Sequence, residues 1–142
     1  MAAVDARKIR QVCREKLLSI AGVTVDLVAL ENRGGFQAPE PKAGKFWIRE
    51  HLRVSSEVHA AWDEVESIWR MQYDVVVPRN HGTELGEEKA ALVMDAFKPG
   101  TSINSQGILL SIDRHERLPY LQLDDVWVLF PVSVRLRTYE FL

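Results

Sequence analysis

Apolar and polar positions change period several times along the chain, and each change marks an element. In residues 4–20, Ile9, Val12, Cys13, Leu17 and Ile20 recur at helical spacing. Arg7, Lys8, Arg14 and Glu15 fall largely elsewhere. That pattern predicts an amphipathic helix, with Gly22 as its stop. Residues 23–30 alternate weakly, as a short strand or an extended lead-in would. The segment ENRGGFQAPEPKAGK, residues 31–45, holds three Gly and two Pro and has no period, so a long exposed loop is expected. Loops of that length are uncommon in compact domains and are often functional, which makes this one the first place to seek a partner contact.

Alternation then takes over. In FWIREHLRV, residues 46–54, Phe46, Ile48, Leu52 and Val54 share a side, with Glu50 breaking it; Trp47, Arg49, His51 and Arg53 oppose them. In residues 65–77, Val65, Trp69, Met71, Tyr73, Val75 and Val77 share a face against Glu66, Arg70, Gln72 and Asp74. Both runs predict half-buried strands, paired as antiparallel neighbours. Residues 84–97 return to a helical stripe of Leu85, Leu92, Val93, Ala96 and Phe97. Thr83 stands at the N-cap position, and KPG ends the helix. GILLSID (107–113) predicts a third strand. A fourth spans 126–139, with Val126, Val128, Phe130, Val132, Val134 and Leu136 on one face. Pro131 cannot donate to a ladder and points to an edge position or a bulge there. RHERLPYLQLDD is expected to form an extended hairpin arm. The order predicts one α+β domain over residues 1–142: a mixed, mostly antiparallel sheet of four to five strands with two helices packed on one face.

Candidate chemistry is sparse. The stretch PRNHGTELG lies between a strand and a helix, where phosphate-binding loops occur, but neither GxxxxGK[ST] nor GxGxxG is present. No histidine lies in HExxH, and none of His51, His59, His81 and His115 pairs at helical spacing with another. Asp113, His115 and Glu116 in DRHER fit a charged strand end better than a metal site. Cys13 lies on the apolar stripe of the first helix, as a buried and inert thiol does. There is no GxSxG elbow, and the adjacent acids at 87–88 and 124–125 fit solvated turns. Trp47 and Trp127 fall on the polar sides of their strands. They are either interface anchors or core residues beneath a second layer.

Composition narrows the class of partner. Eighteen basic and twenty acidic side chains among 142 residues give a formal charge of −2, without the basic excess of most nucleic-acid binders. One cysteine allows no internal disulfide, the start carries no secretory pattern, and no apolar run approaches the roughly 18 residues of a membrane span. A protein of the reducing cytoplasm is expected, with no cofactor and no metal.

The order of elements resembles the phage tail terminator proteins: the lambda-like minor tail protein U group and its tail-completion relatives. The likeness rests on an N-terminal helix, a strand like FWIREHLRV after a Pro/Gly-rich loop, and the strand and turn WRMQYDVVVPRNHGTELG. The helix EKAALVMDAF and the last strand DVWVLFPVSVRLR complete it. It covers residues 1–20 and 46–138. RVSSEVHAAWDEVES lacks the Gly-rich basic turn that such proteins often carry. The resemblance implies a non-enzymatic virion protein at the head-proximal end of the tail, assembled in the host cytoplasm. It implies a homo-hexameric ring that stops tail-tube polymerisation and meets the tail tube protein and a head completion or neck protein. It implies neither a membrane nor sequence-specific nucleic acid as a partner. Arg33, Phe36, Trp47, Arg79, His81, Glu84, Arg114 and Trp127 are the candidate partner contacts. The alternatives are another neck or adaptor protein, or a small cytosolic enzyme or ligand-binding domain.

Overall fold

The computed structural model describes residues 6–61, 64–105 and 107–141, with the side chains of 54–65 and 140–141 left aside. The first helical residues expected at 4–5, the faces of Val54 and Val65, and the surroundings of His59 lie outside the described residues. Helix α1 spans Ala6–Leu18, and α2 spans Glu84–Ala96. The strands are β1 (Val28–Ala29), β2 (Trp47–Ala61), β3 (Glu64–Pro78), β4 (Ser102–Ser105), β5 (Ile108–Arg117), β6 (Leu121–Gln122) and β7 (Trp127–Phe141). They form one sheet in the order β1-β2-β3-β7-β5-β4, with β6 added beside β7. All pairings are antiparallel except β1 with β2.

The class is the expected α+β, but the sheet has seven strands rather than four or five and curls into a half-barrel. The additional strands are short and polar. Ser102–Ser105 and Leu121–Gln122 have no apolar alternation, and backbone pairing to β5 and β7 alone makes them strands. The β2–β3 hairpin also extends to Ala61 and Glu64, past the last clear alternation, because the two strands complete each other's ladder.

Both helices cover the same sheet face. α1 buries Ile9, Val12, Cys13 and Leu17; α2 buries Gly86, Ala90 and Val93, with Phe97 following. Beneath them lie Ile48 and Leu52, the Trp69–Val77 alternation, Ile108, Leu110 and Ile112, and Phe130 through Leu136. The contact stripe of α2 is rotated from the one expected: Leu85 and Leu92 are only half-buried, and Gly86 and Ala90 replace them. Small residues there let the helix approach closely. A Cβ on Gly86 would lie 2.2 Å from the Phe130 ring. Thr83 takes the N-cap position without a side-chain cap bond. Val126 is exposed at the turn before β7 instead of on its core face.

Pro131 corrects a simpler expectation. It lies in a central strand, opposite Asp74 of β3. Its carbonyl accepts from Leu118 N, so its nitrogen faces the same side, where β5 has ended at Arg117 and β6 begins at Leu121. The missing N–H falls in a gap between two strands and leaves no ladder bond unmade.

Cys13 is fully buried, and burial, reinforced by the Glu50 carboxylate, pushes its thiol up to about 12. Burial, with Cys13 and Glu50 beside it, likewise holds the Tyr73 phenol well above its ordinary range. Cys13 is therefore expected to resist a thiol-specific disulfide reagent at neutral pH in the folded chain and to react fully in denaturant. Rapid modification of the native protein would contradict this burial.

Candidate interaction surface

The sheet face away from the helices carries three groups of side chains. At one end, Trp47, Val76, Trp127 and Leu129 form a second small core, with Ala29, Phe36 and Leu123 against it. Trp47 meets Trp127 edge-on at 6.0 Å, and Phe36 from the long loop lies 5.0 Å from Trp47. Each indole is only 8% exposed. The cover is thus neither a helix nor open solvent: the 31–45 loop and the arm preceding β7 close over both rings. Asp124 fixes that arm by accepting from Val126 N and Trp127 N, both at 2.8 Å.

A polar network occupies the middle. Asp74, 1% exposed, accepts from Arg49 at 3.0 Å and Gln72 at 2.8 Å, and His51 Nε2 stands 3.3 Å away. Around the sheet edge, Glu31 binds Arg10 at 2.6 Å and Arg53 at 2.9 Å and accepts from Leu52 N. Arg10 lies on α1, so this carboxylate ties the helix layer to β2. Partial burial acts to raise Glu31, but the arginine hydrogen bonds outweigh it and hold the carboxyl below its ordinary value. A depressed folded value gives stability that is complete above the unfolded pKa of about 4.3 and is lost as pH falls through the folded value. Glu31→Gln should therefore melt below wild type at neutral pH, with the gap closing on acidification below that range. A gap independent of pH would overturn this role.

Cross-strand register sets the third group. Arg53 pairs opposite Arg70, Arg70 opposite Arg135, and Arg135 opposite Arg114, giving one row of four arginines across β2, β3, β7 and β5. A β-bulge between Ile112 and Arg114 shifts the face and puts Arg114 in that row. It also sends Asp113 towards Arg135 and Arg137, at 3.7 and 3.3 Å, and turns His115 under α2. There His115 Nδ1 lies 3.0 and 3.1 Å from the carbonyls of Met94 and Phe97, to which its N–H donates as a cap on the helix end. His115 is therefore structural rather than a surface side chain, and Asp113 and His115 diverge. Among the described residues no cluster of three or more His, Cys, Asp or Glu could hold a metal.

The eight candidate contacts do not converge. Trp47 and Trp127 belong to the second core, and Phe36 packs against it. Arg79, His81 and Glu84 are exposed on the turn into α2, where Asn80 and Gly82 take φ of 69° and 79°. Backbone pairing brings that turn beside Trp127, since Arg79 N donates to Val126 O at 2.8 Å. Arg33 lines an open cavity of about 510 Å³ under the long loop. Arg114 stands apart, in the arginine row. Of that row only Arg114 was among the candidates, because the row exists only through register. An open depression of about 350 Å³ lies beside it, bounded by Arg49, His51, Arg53, Arg70, Gln72 and Asp74.

These surfaces present cations and exposed turns for contact, while the aromatics are held in the second core. The profile of the family described as phage tail terminator protein matches residues 8–136, and the chain belongs to that family. It is thus a protein of the phage tail with a structural, virion-associated role. No curated protein matches it by sequence. One solved chain, whose name states no function, is 17% identical, with 99% of this chain and 97% of that one covered and a TM-score of 0.64. At that identity the likeness concerns the fold alone. No helix among the described residues is long and apolar enough to cross a membrane.

Proposed function

We propose that this protein ends tail-tube polymerisation by forming a homo-hexameric ring on the tube. The ring's other face then joins the head completion or neck protein. The observation that carries this is the family match over nearly the whole chain. A heterologous interface closes into a ring when its rotation per subunit closes, and such an assembly works through surface complementarity without a catalytic group. The turn at 79–83 and the loop around Arg33 are the contacts offered to tube and neck. Light scattering and negative-stain images of the purified protein, alone and with tail tubes, test this. Sixfold rings, or rings that appear only on tubes, are expected; a monomer that never associates with tubes overturns the proposal.

A further inference from the structure

The arginine row places like charges directly opposite one another on four adjacent strands, an arrangement that repels unless anions approach. Three of its members have a carboxylate nearby: Arg53 has Glu31, Arg135 has Asp113, and Arg114 has Glu116 at 3.9 Å. Arg70 is exposed, has an arginine on each side and makes no ion pair among the described residues. The same chain carries the complementary feature elsewhere. Glu84, Glu88 and Asp95 are exposed on α2 around the small Ala91, and none has an ion pair among the described residues.

We propose that the arginine row on the open sheet face of one copy, centred on Arg70, receives the acidic outer stripe of α2 from a second copy. The inference rests on the ring proposed above and assigns the two surfaces that meet in it. Their dimensions agree. Four strands at about 4.8 Å make a row about 14 Å long, and Glu84 to Asp95 rises about 16 Å along the helix. Their placement also fixes the kind of assembly. At 3.6 residues per turn, the acidic stripe lies about 160° round the helix from the buried Gly86, Ala90, Val93 and Phe97. The stripe therefore points away from the sheet, and the two surfaces lie on opposite sides of the molecule. Such surfaces associate head to tail, which gives a ring or a filament instead of a twofold dimer.

Charge reversal in the full chain tests this. Arg70→Glu and Glu88→Arg are exposed changes, and neither variant should melt below wild type; Arg70→Glu, which sets a carboxylate between two arginines, should melt at or slightly above it. Under conditions where wild type forms rings, each alone should associate at least tenfold more weakly. An equal mixture should recover rings, because alternating copies match glutamate to arginine at every junction. Either variant alone assembling like wild type overturns the pairing. If Arg70→Glu fails and Glu88→Arg assembles, the row serves another anion, such as an acidic tube surface or nucleic-acid phosphates, and the proposal falls. A mixture of folded variants that stays monomeric overturns it too. Wild type that never associates, with or without tubes, removes the ring itself and is thereby distinct from these outcomes.

Discussion

Arg14→Ala is expected to destabilise the protein by about 3–5 kcal/mol, the usual consequence of leaving a buried charge without its partner. Glu50 lies on the core face of β2 with no exposure, and Arg14 from α1 grips it through Nη2 at 2.6 Å and Nε at 3.1 Å. The next cation, Arg10, stands 3.9 Å from the same oxygen and is already engaged with Glu31. Without Arg14 the carboxylate would remain desolvated and poorly compensated. At roughly 2–4 °C per kcal/mol for a chain of this size, the midpoint should fall by about 10 °C. Replacing both residues by methionine should recover most of that loss, because the isolated charge is what destabilises. Urea or thermal melts of wild type and the two variants check it. A loss below about 1 kcal/mol would mean that Arg10 takes over the pairing.

Trp47→Ala should have an effect of similar size, about 3–5 kcal/mol, as truncation of a buried aromatic usually does. The indole fills the centre of the second core, against Trp127 on one side and Phe36 on the other. Its removal leaves a cavity on the helix-free face and loosens the attachment of the 31–45 loop. Trp47→Phe keeps much of the contact and should retain most of the stability. Calorimetry of both variants, with ring assembly assayed on the same samples, separates packing from partner contact. Wild-type melting together with failed assembly in Trp47→Ala would assign the ring chiefly to a partner surface and contradict its role as core.

The periods of the sequence determined a good deal. Alternation in 46–54 and 65–77 and the helical stripe in 4–20 identified the long strands, α1 and the core face, because burial on one side leaves a period of two or 3.6. Glu50 was legible as an interruption of an apolar face, and a fully buried carboxylate held by the half-exposed Arg14 is what that interruption becomes. The order of elements also sufficed to suggest the family, since it depends on local pattern and turn residues.

Other features were settled only by tertiary structure. Periodicity gives a residue's face but not its neighbour across the sheet, so Arg53, Arg70, Arg114 and Arg135 looked like unrelated surface cations until register aligned them. The bulge after Ile112 moved Arg114 into that row and turned His115 towards a helix end, because one extra backbone residue reverses every later face. The polar strands β4 and β6 carry no pattern of their own and exist because a neighbour offers hydrogen bonds. The tryptophans were equally compatible with two environments. A loop without periodicity, placing Phe36 over Trp47, decided between them, and only the path of the folded chain could bring those rings together.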